Sequence, residues 1–104
     1  KHGQHWYMRQ DRPCQPEQKQ ALSALSPQSI TVREIAGSPI LAKQVTAPGN
    51  QAAIGGLKVI TEAGWFAIRP SGTENVSKIY AESVKSARHL KELLSAAEKF
   101  LLSL

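Results

Sequence analysis

A single cysteine, Cys14, leaves no partner for an intrachain disulfide, so the sequence carries no sign of an oxidising compartment and the cytoplasm is the default expectation. No apolar run approaches the ~20 residues of a membrane-spanning helix, and nothing resembles a signal peptide, so a soluble protein is expected. Runs of Lys or Arg are also missing. Thirteen Lys and Arg against eight Asp and Glu give a formal charge of +5, which by itself admits nucleic acid, an acidic membrane or a phosphorylated small molecule as partner. The excess is spread out, at +2 over residues 1–20, +1 over 21–65 and +2 over 66–104, with no basic stripe. The few aromatics, among them Trp6, Tyr7, Trp65, Phe66 and Tyr80, are not interleaved with basic residues on a recognisable module. Neither nucleic acid nor a membrane is therefore an expected partner. Metal ligands are equally scarce: His2, His5 and Cys14 lack the fourth member that a structural zinc site wants, and no metal is expected on this chain.

What is present fits one domain, residues 1–104, with a modest core. The chain begins at Lys1 and its only methionine is Met8, which reads as a piece of a longer polypeptide. Residues 5–9, His5-Trp6-Tyr7-Met8-Arg9, are expected as a strand whose partner comes from elsewhere in the sheet. A first helix is expected from Pro16, tolerated there because its missing N–H has no helical partner, with Ala21, Leu22 and Leu25 on one face and an end at Ser26-Pro27. The β-branched run Ile30–Ile35 reads as a strand stopped by Gly37 and Pro39.

A turn-rich loop is expected from Ala47 to Gly56; it lacks the spacing and the Lys-Ser/Thr ending of a nucleotide-binding loop. Leu57–Thr61 and Trp65–Arg69 then form a hairpin across Glu62-Ala63-Gly64, with Gly64 suited to the left-handed position of a three-residue turn. Trp65 and Phe66, adjacent on a strand, face opposite sides, so at least one is core. A further strand covers Lys78–Ser83. Ser86 can cap a closing helix from Ala87, whose Leu90, Leu93, Leu94, Ala97, Leu101 and Leu104 follow helical spacing. His89, in its first turn, is expected to face solvent. This order predicts an α+β fold, with at least four strands in an antiparallel sheet and helices on one side.

One segment carries readable binding chemistry: Arg69-Pro70-Ser71-Gly72-Thr73-Glu74, directly after Gly64-Trp65-Phe66-Ala67-Ile68. A guanidinium offers five fixed donors and suits phosphate bidentately. Hydroxyls at Ser71 and Thr73 can turn to fit, and Gly72 between them lets the backbone approach a ligand and aim N–H groups at it. Phosphate is the expected ligand. The same residues are also ordinary turn chemistry, with Arg69 a solvated strand-end charge, and local chemistry alone favours that simpler reading.

The wider pattern tips the balance. The stretch from Gly64 to Glu74 followed by Lys78-Ile79-Tyr80-Ala81-Glu82-Ser83 resembles the C-terminal domain of the phosphohexomutase superfamily, its phosphoglucomutase branch most closely. The resemblance extends through Ala47-Pro48-Gly49-Asn50 and Ile54-Gly55-Gly56-Leu57-Lys58-Val59, and more loosely through Pro16-Glu17-Gln18-Lys19 with Ala21-Leu22-Ser23. Many superfamily members continue the loop with a proline and a basic-apolar-Arg strand, whereas this chain has Asn75-Val76-Ser77-Lys78.

The resemblance implies a TATA-box-binding-protein-like domain, about four antiparallel strands backed by helices on one face. It also implies an enzyme that interconverts glucose 1-phosphate and glucose 6-phosphate through a phosphoserine and glucose 1,6-bisphosphate, with Mg²⁺ bound. Carried over by residue, Arg69 is the bidentate phosphate ligand, Ser71 and Thr73 hydroxyl donors, Gly72 a backbone donor and Lys78 an added charge. Glu74 organises the loop rather than touching phosphate. The phosphoserine, metal and sugar-recognition loops of the family are missing from the 104 residues, so the implied partners are a hexose phosphate and the preceding domains of the same polypeptide. The chain alone is expected to hold no cofactor and to be inactive. A related phosphomannomutase or phosphoglucosamine mutase, or an anion-binding module with no enzyme attached, are the competing readings.

Overall fold

The computed structural model describes residues 5–23, 33–46, 56–71 and 74–104. Along the chain run β1 (Trp6–Pro13), α1 (Pro16–Ser23), β2 (Glu34–Ile35), β3 (Ser38–Thr46), β4 (Gly56–Thr61), β5 (Gly64–Pro70), β6 (Val76–Ser83) and α2 (Ala87–Leu102). The strands form one antiparallel sheet in the order β1-β6-β5-β4-β3-β2. The α+β class holds, but the sheet has six strands rather than about four.

The additional strands arise where sequence signals conflict. Gly37 and Pro39 do not end the pairing; they sit in and just after a two-residue turn that folds β2 onto β3, with Glu34 opposite Pro39 and Ile35 opposite Ser38. Ala36 (φ 53°) and Gly37 (φ 80°) both take the left-handed conformation that such tight hairpins demand. Pro39 is tolerated because no N–H is asked of it: the bond back to the β2 side comes from the Ile40 N–H to the Arg33 carbonyl at 2.9 Å, pairing with β4 starts only at Ile40, and an irregularity between Ile40 and Ala42 adjusts the register before β3 runs along β4. The expected end of the first helix at Ser26-Pro27 and the residues Ile30–Val32 of the expected strand lie outside the described residues, as does most of the loop after Thr46.

Alternation sets the two faces of the sheet. Leu57, Val59, Phe66, Ile68, Ile79 and Ala81 point to one side and are buried there, joined by Leu22 of α1 and by Leu90, Leu93, Leu94, Ala97 and Leu101 of α2 in a single cluster. Both helices therefore cover the same face. Gln18 ties them together, its Nε2 donating to the Leu101 carbonyl at 3.1 Å. Burying a Leu or Phe side chain is worth about 1.5–3 kcal/mol, so this face carries most of the stabilisation. Ser86 caps α2 as its sequence suggests, its hydroxyl accepting from the His89 N–H at 2.9 Å.

Two readings need correction. His89 does not face solvent: at 2% exposure it continues the buried face of α2. The Ser83 hydroxyl accepts the N–H groups of Lys85 (3.0 Å) and Ser86 (3.4 Å) and shares a hydrogen bond with His89 Nδ1 at 2.7 Å. Gly64, in turn, does not serve a left-handed turn. Thr61 and Gly64 bracket a two-residue connection, with the Thr61 hydroxyl bonded to both the N–H and the C=O of Gly64. Glycine is required there by crowding, since a Cβ would come within 2.3 Å of the Glu82 carbonyl oxygen and 2.8 Å of Leu93 Cδ1.

Candidate functional site

The helix-free face of the sheet presents β1, β6, β5 and β4 in register. One row runs Asp11, Lys78, Arg69; the next runs Arg9, Tyr80, Ala67, Lys58; the third runs Tyr7, Glu82, Trp65, Ile60. Arg69 and Lys78, both exposed, thus stand directly opposite each other on neighbouring strands, an arrangement of like charges that is unfavourable in itself. Among the described residues neither side chain has a hydrogen-bond or ion-pair partner. Asp11 lies opposite Lys78 on the far side, so among the described residues of this row Lys78 has a countercharge in register while Arg69 faces Lys78. A bound anion therefore gains most on the Arg69 side.

Four contacts close the base of the loop that follows. The Ser71 N–H donates to the Val76 carbonyl at 2.9 Å, continuing the β5–β6 ladder. The Ser71 hydroxyl accepts the N–H of Glu74 at 3.1 Å, a local turn bond that shapes the loop. The Cys14 N–H donates to the Asn75 carbonyl at 2.9 Å, and Lys19 Nζ donates to the Glu74 carbonyl. The junction of β1 and α1 thus clamps the loop from below. These clamps join residues 55 or more positions apart, and no local pattern in the sequence announces them. Of the expected site residues, the structure brings Arg69, Lys78 and Ser71 to one end of β5 and β6; Gly72 and Thr73 lie outside the described residues.

Beneath the loop Cys14 is fully buried. Burial pushes its thiol pKa above the ordinary 9.0, partly offset by the Ser77 hydroxyl and the Lys19 ammonium. It cannot join a metal site with His5, because the two bracket β1 and are separated by about 30 Å of extended chain. His5 instead pairs with Glu82, Nδ1 to Oε2 at 2.9 Å. Glu82 also accepts the Trp65 indole N–H at 3.0 Å, and Lys58 Nζ lies 4.5 Å from the centre of the Trp65 ring. This chain of contacts crosses β4, β5 and β6 and fixes the far end of the face. Phe66, as expected from alternation, is the core member of the Trp65-Phe66 pair. Among the described residues no group of three or more His, Cys, Asp or Glu side chains could hold a metal, and no helix is long and apolar enough to cross a membrane.

At one end of β5 and β6, then, two exposed cations stand side by side on neighbouring central strands. Comparison with known proteins gives the class: the family model for the phosphoglucomutase/phosphomannomutase C-terminal domain matches residues 29–99. The chain belongs to that family. Over 96 residues it is 59% identical to a phosphoglucomutase of Komagataeibacter xylinus, an alignment that takes in 92% of this chain and 17% of that protein.

Proposed function

We propose that the chain is the substrate-phosphate-binding domain of a phosphoglucomutase, which interconverts glucose 1-phosphate and glucose 6-phosphate through a phosphoserine enzyme and glucose 1,6-bisphosphate. The observation that carries this is the register of Arg69 against Lys78 at the mouth of the loop: two exposed cations placed side by side, with hydroxyl and backbone donors in sequence immediately beyond. The 59% identity to a phosphoglucomutase favours this branch over a phosphomannomutase or a phosphoglucosamine mutase.

In this reading Arg69 holds the phosphate distal to the reacting one, bidentately, and Lys78 adds charge. Ser71, Gly72 and Thr73 contribute donors, while Asp11 keeps Lys78 from pulling the anion toward β1. Phosphoryl transfer depends on positioning and charge neutralisation, so a domain that grips the non-reacting phosphate takes part in catalysis without touching the reacting atoms. In this reading the phosphoserine and the Mg²⁺ belong to preceding domains of the same polypeptide. The chain alone is then inactive, and in the whole enzyme it acts in the cytoplasm on a hexose phosphate.

The test is a titration of the isotope-labelled chain with inorganic phosphate, followed by amide shifts, beside an assay of glucose 1-phosphate turnover. Shifts centred on residues 69–78 with millimolar affinity and no turnover are expected, because an isolated loop bears the full ordering cost without the sugar's other contacts. Shifts confined to residues remote from this loop, or turnover by the rigorously purified chain, overturn the assignment.

A further inference from the structure

The row beside Arg69 and Lys78 is not another row of charges. Two residues along each strand, about 6.8 Å from the basic pair, the same face presents Tyr80 and Ala67, flanked by Arg9 in register on β1 and Lys58 in register on β4. Tyr80 is half-buried, and Ala67 is a methyl sunk to 9% exposure between taller neighbours. Toward the loop the next row offers Pro13, Val76 and Ser71. An aromatic ring with a guanidinium in register beside it, one step from an anion site, has the chemistry of a sugar subsite. The ring meets the C–H face of a pyranose, and the guanidinium meets its hydroxyls.

We infer that Tyr80, with Arg9 beside it, forms a platform for the sugar ring of a hexose phosphate whose phosphate is held at Arg69 and Lys78. The inference rests on the phosphate reading above and deepens it. A pyranose ester-linked to that phosphate spans the step from one row to the next. Trp65 is excluded as the platform because its indole is already engaged, with Lys58 over its face and Glu82 on its N–H. Domain-level sugar contact of this kind adds affinity for the ester without base-like readout of individual hydroxyls, so it predicts a preference for sugar phosphates over inorganic phosphate rather than for one epimer over another.

Titrating the labelled chain with inorganic phosphate and, separately, with glucose 6-phosphate tests this. The sugar phosphate is expected to bind about tenfold more tightly, with intermolecular NOEs between sugar-ring protons and the Tyr80 ring. Tyr80→Leu, which keeps an apolar strand residue, is expected to bring glucose 6-phosphate to the affinity of inorganic phosphate while leaving the latter unchanged. Tyr7→Ala, one row further away, should alter neither. If both ligands shift residues 69–78 with equal affinity and no NOE reaches Tyr80, the sugar platform is refuted and the phosphate reading stands. If neither ligand shifts that segment, both fail together. The NOE measurement uses the unaltered chain and so decides the matter even if Tyr80→Leu does not fold.

Discussion

Replacing Arg69 with glutamine should separate a ligand site from a strand-end support, because the two roles predict opposite signs for stability. In the free chain Arg69 faces Lys78 across the β5–β6 ladder, and like charges directly opposite cost on the order of 0.2–1 kcal/mol. Both side chains are exposed, so screening keeps the relief near the low end, at about 0.3 kcal/mol in low salt. For a domain of this size that is a rise of roughly 1–2 °C in Tm, fading as salt is added.

Phosphate should reverse the ranking. At ten times its Kd a ligand stabilises the folded state by about 1.4 kcal/mol, which raises the melting temperature of the unaltered chain by roughly 5–10 °C. Arg69→Gln removes charge-assisted bonds worth about 1.5–3 kcal/mol each, so the variant should show almost none of this rise. Arg69→Lys keeps the charge but loses the planar fork; in the whole enzyme it should lower kcat/KM about ten- to hundredfold. Thermal melts in low salt with and without phosphate provide the assay. An Arg69→Gln chain that melts several degrees lower than the parent, yet gains as much from phosphate, would refute the reasoning, because Arg69 would then support the strand end and bind nothing.

Two further expectations concern the scaffold under the site. Gly64→Ala drives a methyl to 2.3 Å from the Glu82 carbonyl, which cannot retreat without breaking the β5–β6 ladder, so the domain should lose at least about 2–3 kcal/mol in a denaturant melt; near-parental stability would show that the ladder yields easily. Cys14 has a thiol pKa raised by burial, so the folded chain keeps its proton where the unfolded chain loses it; stability should be complete below pH 9 and decline as pH rises through the folded value. The decline should be shallower in Cys14→Ala than in the parent, and identical slopes would remove Cys14 as its source.

Local signals were enough for several elements. The Pro16 start of α1, the Ser86 cap and the leucine spacing of α2 each depend on residues within a turn or two of one another, and the structure keeps all three. The same holds for β4, β5 and β6, whose alternating apolar residues leave one buried face, and for the family, which a contiguous loop motif made legible. Arg69, Ser71 and Lys78 were legible for the same reason: they lie within ten residues of one another.

What the sequence could not specify depends on partners distant in the chain. Gly64 carries no mark that distinguishes a turn glycine from one crowded by Glu82 and Leu93, and His89 none that separates a surface imidazole from one bonded to Ser83. Pro39 reads as a terminator until the pairing with Glu34 places it where the ladder asks for no N–H. The open face shows this most plainly. Arg9, Asp11, Lys58, Tyr80 and Arg69 are scattered between positions 9 and 80, and only the antiparallel register of four strands sets them in neighbouring rows. Periodicity along a strand fixes which side a residue faces, but its lateral neighbours are chosen by the long-range pairing of backbone hydrogen bonds, which tertiary structure alone decides.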